Sequence, residues 1–326
     1  MKKLLLLFLS FVSILQSCST DQWTTLKIED GDSPKNDICS ICFDKQGSSW
    51  VGTNYGIYKN EADKWVAQGI ENIYVQTLFI DDKDTKWAGL YEGGVFKCEA
   101  GNNWENVKDA SPTNSVNVIT SDIKGNIWLG GWGGCILDLD EKGEIDITNK
   151  TGGAMIYDGK QWVSYKAAQV NLGDNSVNTI VCDAKGRIWF GTYHGLSMLN
   201  NGIWTLYNKQ NSTLPDNEVF SLAADSKGNV WIGTCNGLVK ISGLEWTVYN
   251  NENSDLSCDL ILSLATDENG SVLAGTNKGA FFFDGTKWRN YTAENSGLTD
   301  NRVQTIAVHK HKVYFGTSNG ISVYKQ

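Results

Sequence analysis

Short runs in which apolar and small residues alternate recur along the chain. Val219-Phe220-Ser221-Leu222-Ala223 is one such run, and it stops at the turn Asp225-Ser226-Lys227-Gly228. Alternation over five or so residues, closed by Asp and Gly, predicts a short strand with one face buried. A second run follows at once and carries Trp231-Ile232-Gly233. Then come a third run after Gly237 and a fourth that carries Trp246 and Tyr249. Four short strands joined by tight turns are predicted, with no helix-period segment between them.

The same unit recurs. Its core, Asp-x-x-Gly-x-x-Trp-x-Gly-Thr-x-x-Gly, reads DKQGSSWVGTNYG from Asp44, DIKGNIWLGGWGG from Asp122 and DAKGRIWFGTYHG from Asp183. It returns as DSKGNVWIGTCNG from Asp225 and DENGSVLAGTNKG from Asp267. Two copies are degenerate, DDKDTKWAGLYEGG from Asp81 and VHKHKVYFGTSNG from Val308. The Trp position is filled by Trp50, Trp87, Trp128, Trp189, Trp231, Leu273 and Tyr314, at spacings of 37, 41, 61, 42, 42 and 41. A second Trp tracks the first at Trp65, Trp104, Trp162, Trp204, Trp246 and Trp288, often as Trp-x-x-Tyr. A seventh, Trp23, stands alone before any first Trp.

Four strands per 40 or so residues is the pattern of a propeller blade. Seven units predict an all-β, seven-bladed β-propeller over residues 22–326. The offset at the ends predicts how it closes. The chain begins with a fourth strand around Trp23 and runs out of pattern on a third strand, Gly320 to Lys325. Pairing the two completes the seventh blade and leaves no open sheet edge. Within a unit the Asp is placed to bond the turn backbone and the first Gly to supply positive φ. Pro34, Pro112 and Pro215 all fall between units, where no ladder bond is lost.

The core, seen best at Asp183–Leu196 and Asp225–Leu238, resembles the two-component regulator propeller repeat, and the likeness covers nearly all of 22–326. In that family the propellers form the extracytoplasmic sensor part of hybrid two-component systems of Bacteroidetes-type bacteria, and they respond to glycans. The resemblance therefore implies glycan recognition. Those sensors continue into a membrane helix and kinase domains. This chain runs out after one ring, so no kinase is expected here, and fold alone does not fix function.

The N-terminus carries an address. Lys2 and Lys3 precede a 12-residue apolar stretch, Leu4 to Leu15, too short to span a bilayer as a helix. Leu15-Gln16-Ser17-Cys18 resembles the lipobox of bacterial lipoproteins. It implies that residues 1–17 are a removed signal peptide, that Cys18 is lipidated, and that 18–21 form a short tether. The expected location is the cell envelope, periplasmic or on the outer-membrane surface, with the lipid as sole anchor. Ser19, rather than Asp, after Cys18 fits outer-membrane delivery.

Formal charge is −9, and loss of Lys2 and Lys3 with the signal makes it −11. With no Lys/Arg cluster along the sequence, nucleic acid is not an expected partner. Seven Cys remain after Cys18, an odd number that fits no complete disulfide framework. Cys39-Ser-Ile-Cys42 has metal or redox spacing but lies in a strand, where side chains three apart face opposite ways. Both are read as core thiols, and no cofactor is expected.

The candidate site comes from subtraction. Twelve of the 13 Trp fill blade positions, and Trp132 remains. Tyr55, Tyr91 and Tyr193 likewise fall outside strands. All four occupy the loop between second and third strands in units one to four. With the inter-blade loops, those loops form one face, the top; the Asp-x-x-Gly turns line the bottom. Asn54, Glu92 and His194 stand beside the aromatics, and Asn236 occupies the matching loop of unit five. Aromatic platforms with amides and carboxylates suit sugar rings. The competing reading is that the aromatics merely pack under neighbouring loops.

Unit three carries an insertion, residues 134–152, that alternates on both sides of Glu141-Lys142-Gly143 and predicts a β-hairpin. Asp138, Asp140, Glu144 and Asp146 make it acidic. Their spacing faintly suggests a calcium loop, but Lys142 stands where a ligand oxygen is needed. A solvated hairpin, open to a partner contact, is the stronger reading. The leading expectation is a monomeric, non-catalytic module that binds a glycan or other small ligand. A protein–protein scaffold for an envelope protein is the alternative, and a propeller lyase or hydrolase the third. No Ser-His-Asp spacing or phosphate loop appears.

Overall fold

The structure is a computed structural model. It describes residues 22–326 other than 30–32, 63, 108–114, 134–137, 140–144, 147–151 and 259. The signal segment, Cys18 and the tether lie outside the described residues, as do Asp140 and Glu144 and the side chains of Asp138 and Asp146.

Seven four-stranded antiparallel sheets form a ring, so the chain is a seven-bladed β-propeller. Blade four shows the plan. Val177–Cys182 is innermost, followed outward by Ile188–Thr192, Gly195–Asn200 and Ile203–Tyr207. The other innermost strands are Ile38–Phe43, Val75–Ile80, Val116–Ser121, Val219–Ala224, Ile261–Thr266 and Val303–His309. Each packs against the next around a closed circle, Val303–His309 returning to Ile38–Phe43. The seventh blade closes as the end offset predicted: Trp23–Leu26 pairs antiparallel with Gly320–Lys325, Trp23 opposite Tyr324 and Leu26 opposite Ile321.

The core is a set of layers between blades. In one layer Trp189 and Leu196 of blade four meet Val219, Leu222, Val230 and Ile232 of blade five. The Gly of Trp-x-Gly has a role that the sequence did not disclose. A Cβ on Gly191 would come within 2.6 Å of Val219 Cγ1, and one on Gly316 within 2.8 Å of Ile38 Cγ2. The missing side chain is where the next blade's β-branched residue docks, at the closing joint as elsewhere.

The repeat's Asp does more than shape its turn. In blade four Asp183 Oδ1 accepts from the backbone N–H of Lys185 (2.9 Å) and Arg187 (3.0 Å), and Oδ2 accepts from Trp189 Nε1 at 2.9 Å. Asp44–Trp50, Asp81–Trp87 and Asp122–Trp128 repeat the indole bond at 2.9, 3.0 and 3.2 Å. The seven-residue core is thus a clamp that ties turn to second strand.

The insertion in blade three does pair as a hairpin over the described part. Asp138 lies opposite Asp146 and Leu139 opposite Ile145, centred on residue 142.

Candidate functional site

Two features of each blade present side chains at the top. The first is the loop after Trp-x-Gly-Thr. Thr192 Oγ1 donates to Gly195 O at 2.8 Å and accepts from His194 N at 3.2 Å, so one hydroxyl fixes a two-residue loop. Thr53 does the same for Asn54-Tyr55, and Thr234 for Cys235-Asn236. The second is a β-bulge at the second residue of every innermost strand, where the register slips between Val177 and Thr179 and at all six equivalents. A bulge leaves one residue out of the ladder and re-aims its side chain. The seven bulged residues are Cys39, Gln76, Asn117, Asn178, Phe220, Leu262 and Gln304. Period-two reading of these strands passed over them.

On blades two to five the two features converge. Tyr91, Trp132 and Tyr193 from the loops, with Gln76, Asn117, Asn178 and Phe220 from the bulges, enclose a depression of about 380 Å³. Trp132 is the most open of the three aromatics, at 50% exposure. Tyr193 meets Phe220 edge to face at 6.0 Å. Tyr91 stacks on Tyr74 at 5.8 Å, and Tyr74, exposed beside the cavity, was not singled out from the sequence. Its hidden signal was position: it directly precedes an innermost strand.

The amide floor is tied to the ring. Asn117 Nδ2 donates to Val177 O (3.1 Å) and Asn178 Nδ2 to Val219 O (3.0 Å), each reaching the next blade. Gln76 Nε2 donates to Asn117 Oδ1 at 3.4 Å, while Gln76 Oε1 is buried with no donor.

The other candidate residues sit differently. Tyr55 is exposed but does not line the cavity. It is the second loop residue, equivalent to His194, whereas Tyr193 is the first, equivalent to Asn54. First positions face the axis and second positions the rim. Asn54, His194 and Asn236 are each taken up by an Asp of the preceding inter-blade loop. Asn54 Nδ2 donates to Asp37, His194 Nδ1 pairs with Asp174, and Asn236 Nδ2 donates to Asp216 Oδ2 at 2.8 Å. They brace the rim. Glu92, in positive φ, donates its backbone N–H to Ser115 Oγ at 3.2 Å and leaves its side chain exposed.

The rim is acidic. Burial first, then Glu218 and Asp174, push the Tyr193 phenol up. Burial, then Cys39, push the Tyr74 phenol up to about 12. The thiols are quiet: burial pushes Cys39 up to about 12 and Cys42 further still, and both are free, as are Cys98, Cys182, Cys235 and Cys258. Among the described residues no three His, Cys, Asp or Glu side chains gather to hold a metal.

Two clefts of similar volume, about 360 and 370 Å³, open at the opposite end. One, between blades seven and one, includes Gln22, Gly47, Lys312 and Lys325; the other, between blades three and four, includes Ile123 and Lys185.

The fold is a seven-bladed β-propeller, and its repeat is similar to that of two-component regulator propellers. Residues 171–194 and 213–236 match the family described as Two component regulator propeller, so the chain carries that repeat. No curated protein matches the sequence. Among solved structures, the extracellular domain of the hybrid two component system BT3049 from B. thetaiotaomicron superposes with a TM-score of 0.74 at 22% identity. It matches 93% of this chain, which spans 41% of that one. Virginiamycin B lyase from Staphylococcus aureus gives 0.69 at 11% identity over 93% of this chain and 99% of its own. PorZ, a surface component of the type-IX secretion system of Porphyromonas gingivalis, gives 0.65 at 16% identity over 91% and 48%.

Proposed function

We propose that this protein is an extracytoplasmic propeller, anchored by lipid at Cys18, that binds a glycan in the cavity ringed by Tyr91, Trp132 and Tyr193. The convergence of three partly exposed aromatics over an amide floor carries the reading. An apolar sugar face stacks on aromatic rings while its hydroxyls take hydrogen bonds. Gln76 Oε1 lacks a donor, and a ligand hydroxyl supplies one after a small rotation of the amide. The acidic rim, with Glu92, Asp174 and Glu218, favours an uncharged sugar over a uronate. Pre-set loops limit the entropy lost on binding. Location outside the cytoplasm draws support from the lipobox-like segment and from the extracellular domain named in the B. thetaiotaomicron structure.

The test is titration of neutral and acidic glycans against the wild type and a Trp132→Ala/Tyr193→Ala variant. We expect binding of at least one neutral glycan, weakened roughly tenfold or more by the double change. Equal affinity in the variant, or preference for uronates, overturns the assignment. A scaffold role would appear instead as an envelope protein lost from this face on the same substitutions, and an enzyme as turnover of the glycan.

A further inference from the structure

The sequence shows no run of basic residues, but the fold assembles one. The third residue of the Asp-x-x-Gly turn or its equivalent is Lys in four blades, Lys83, Lys124, Lys185 and Lys227, and blade one carries Lys45 at the second position. Blade seven supplies Lys310 in the equivalent turn. All six side chains are exposed, and all lie at the bottom ends of the innermost strands, around the axis. The template Asp residues do not neutralise them. Asp44, Asp183, Asp225 and Asp267 are buried, and Asp44 and Asp183 spend their oxygens on turn N–H groups and the indole. The exposed carboxylates of these turns are Asp82 and Glu268, the latter 3.7 Å from His311. Further out the hairpins are mixed: Lys64, Lys160 and Lys287 stand with Glu61, Asp158 and Asp284, Lys97 pairs with Glu99 at 2.9 Å, and Glu105 and Glu245 are exposed acids. An acidic protein therefore carries a basic ring at one end, opposite the acidic rim of the cavity.

Two more observations fall on the same end. Leu244, Ile203 and Ile123, at 97%, 70% and 67% exposure, all belong to bottom turns or hairpins of blades three to five. The chain also enters here. Trp23 pairs with Tyr324 at the bottom end of the seventh blade, and Gln22 lines the cleft with Lys312 and Lys325. Trp23 lies five residues after Cys18, a reach of at most about 18 Å.

We propose that the bottom face lies against an anionic lipid headgroup surface, held there by lipid at Cys18, so that the cavity points away from the membrane. The proposal rests on lipidation of Cys18. Basic side chains near an anionic leaflet and apolar side chains at the headgroup boundary both add to a lipid anchor. The tether is too short for the ring to stand clear of the surface or to turn its top toward it.

The experiment uses the full chain processed and purified from membranes, placed in vesicles of phosphatidylcholine alone or with phosphatidylglycerol. A water-soluble amine acylating reagent reads each lysine by mass spectrometry. We expect the six ring lysines to react at least threefold more slowly in the anionic vesicles, while Lys278 in a top loop reacts equally in both. About 0.5 M salt removes the protection, because it shortens the screening length to a few ångströms. So does Lys124→Glu/Lys185→Glu/Lys227→Glu, read at Lys45, Lys83 and Lys310. If that variant fails to fold, the salt arm decides alone. Equal reaction in both vesicles with lipid present at Cys18 overturns the orientation. An intact mass without lipid at Cys18 overturns the anchor and the orientation together. Retention of duplex DNA by the ring lysines, with no protection by vesicles, overturns the proposal in favour of a nucleic-acid face.

Discussion

At the residue scale, the repeat core is a hydrogen-bond clamp whose variations are informative. Blade five departs from the pattern. Asn229 Nδ2 donates to Asp225 Oδ2 at 2.6 Å, and Trp231 Nε1 is left buried without an acceptor. A buried unsatisfied donor costs about 1–3 kcal/mol. Asn229→Ser, matching Ser48 and Ser271 of blades one and six, should free Asp225 for the indole. We expect a gain of about 1 kcal/mol, read as a rise in the denaturant midpoint; a loss would mean that the Asn amide contributes more than the orphaned indole. In blade six Leu273 replaces the Trp, and Asp267 Oδ2 instead takes Gln326 Nε2 at 3.1 Å. The Asp, the Gly and the Trp were each visible in the sequence. Their mutual bond was not, because the Asp and Trp six residues apart meet only once the turn has folded back.

At the element scale, strands and turns were legible because period-two alternation and Asp/Gly punctuation are local signals. Two features were not. The bulge in every innermost strand inserts one residue without changing composition, so simple alternation places Gln76, Asn117 and Asn178 one face wrong. The docking Gly of Trp-x-Gly reads as a turn residue until the neighbouring blade is present. Its φ is not in the left-handed region, so only contact explains it. Gly191→Ala should therefore destabilise by about 1–3 kcal/mol through overpacking against Thr179 of its own blade and Val219 of the next. Adding Val219→Ala should recover part of that loss. Thermal denaturation of the two single variants and the double checks this, and strict additivity would show that the clash is elsewhere.

At the scale of the whole molecule, seven blades and their closure were readable from counting, since every blade repeats one template and the end offset fits only a ring. The cavity was half readable. Trp132, Tyr91 and Tyr193 stood out as departures from the template, but the floor came from bulges and the braces Asp37, Asp174 and Asp216 from loops far off in sequence. The lysine ring was hidden for the same reason, with at most one of its charges per blade, none in blade six, and 38 residues or more between them. The closing joint carries a pH dependence. His309 of blade seven stacks on Phe43 of blade one at 4.3 Å, its Nε2 buried without a partner. Burial, then Lys310, hold its pKa below the usual 6.5. The neutral form is favoured in the folded ring, so its contribution is whole above pH 6.5 and is lost as pH falls toward the depressed value. His309→Phe should flatten stability between pH 6.5 and 5; an unchanged slope would place the sensitivity elsewhere. The joint also governs when the protein can finish folding. Leu26 and Ile321 are partners across almost the whole chain. While the chain is being made, Trp23–Leu26 is an unpaired edge with nowhere to go, and six blades stand as an open arc with two raw flanks. Contacts this remote form late and slowly. The last blade is thus a checkpoint on completeness: a chain cut short before Gly320 has every blade but the one that makes a ring of them.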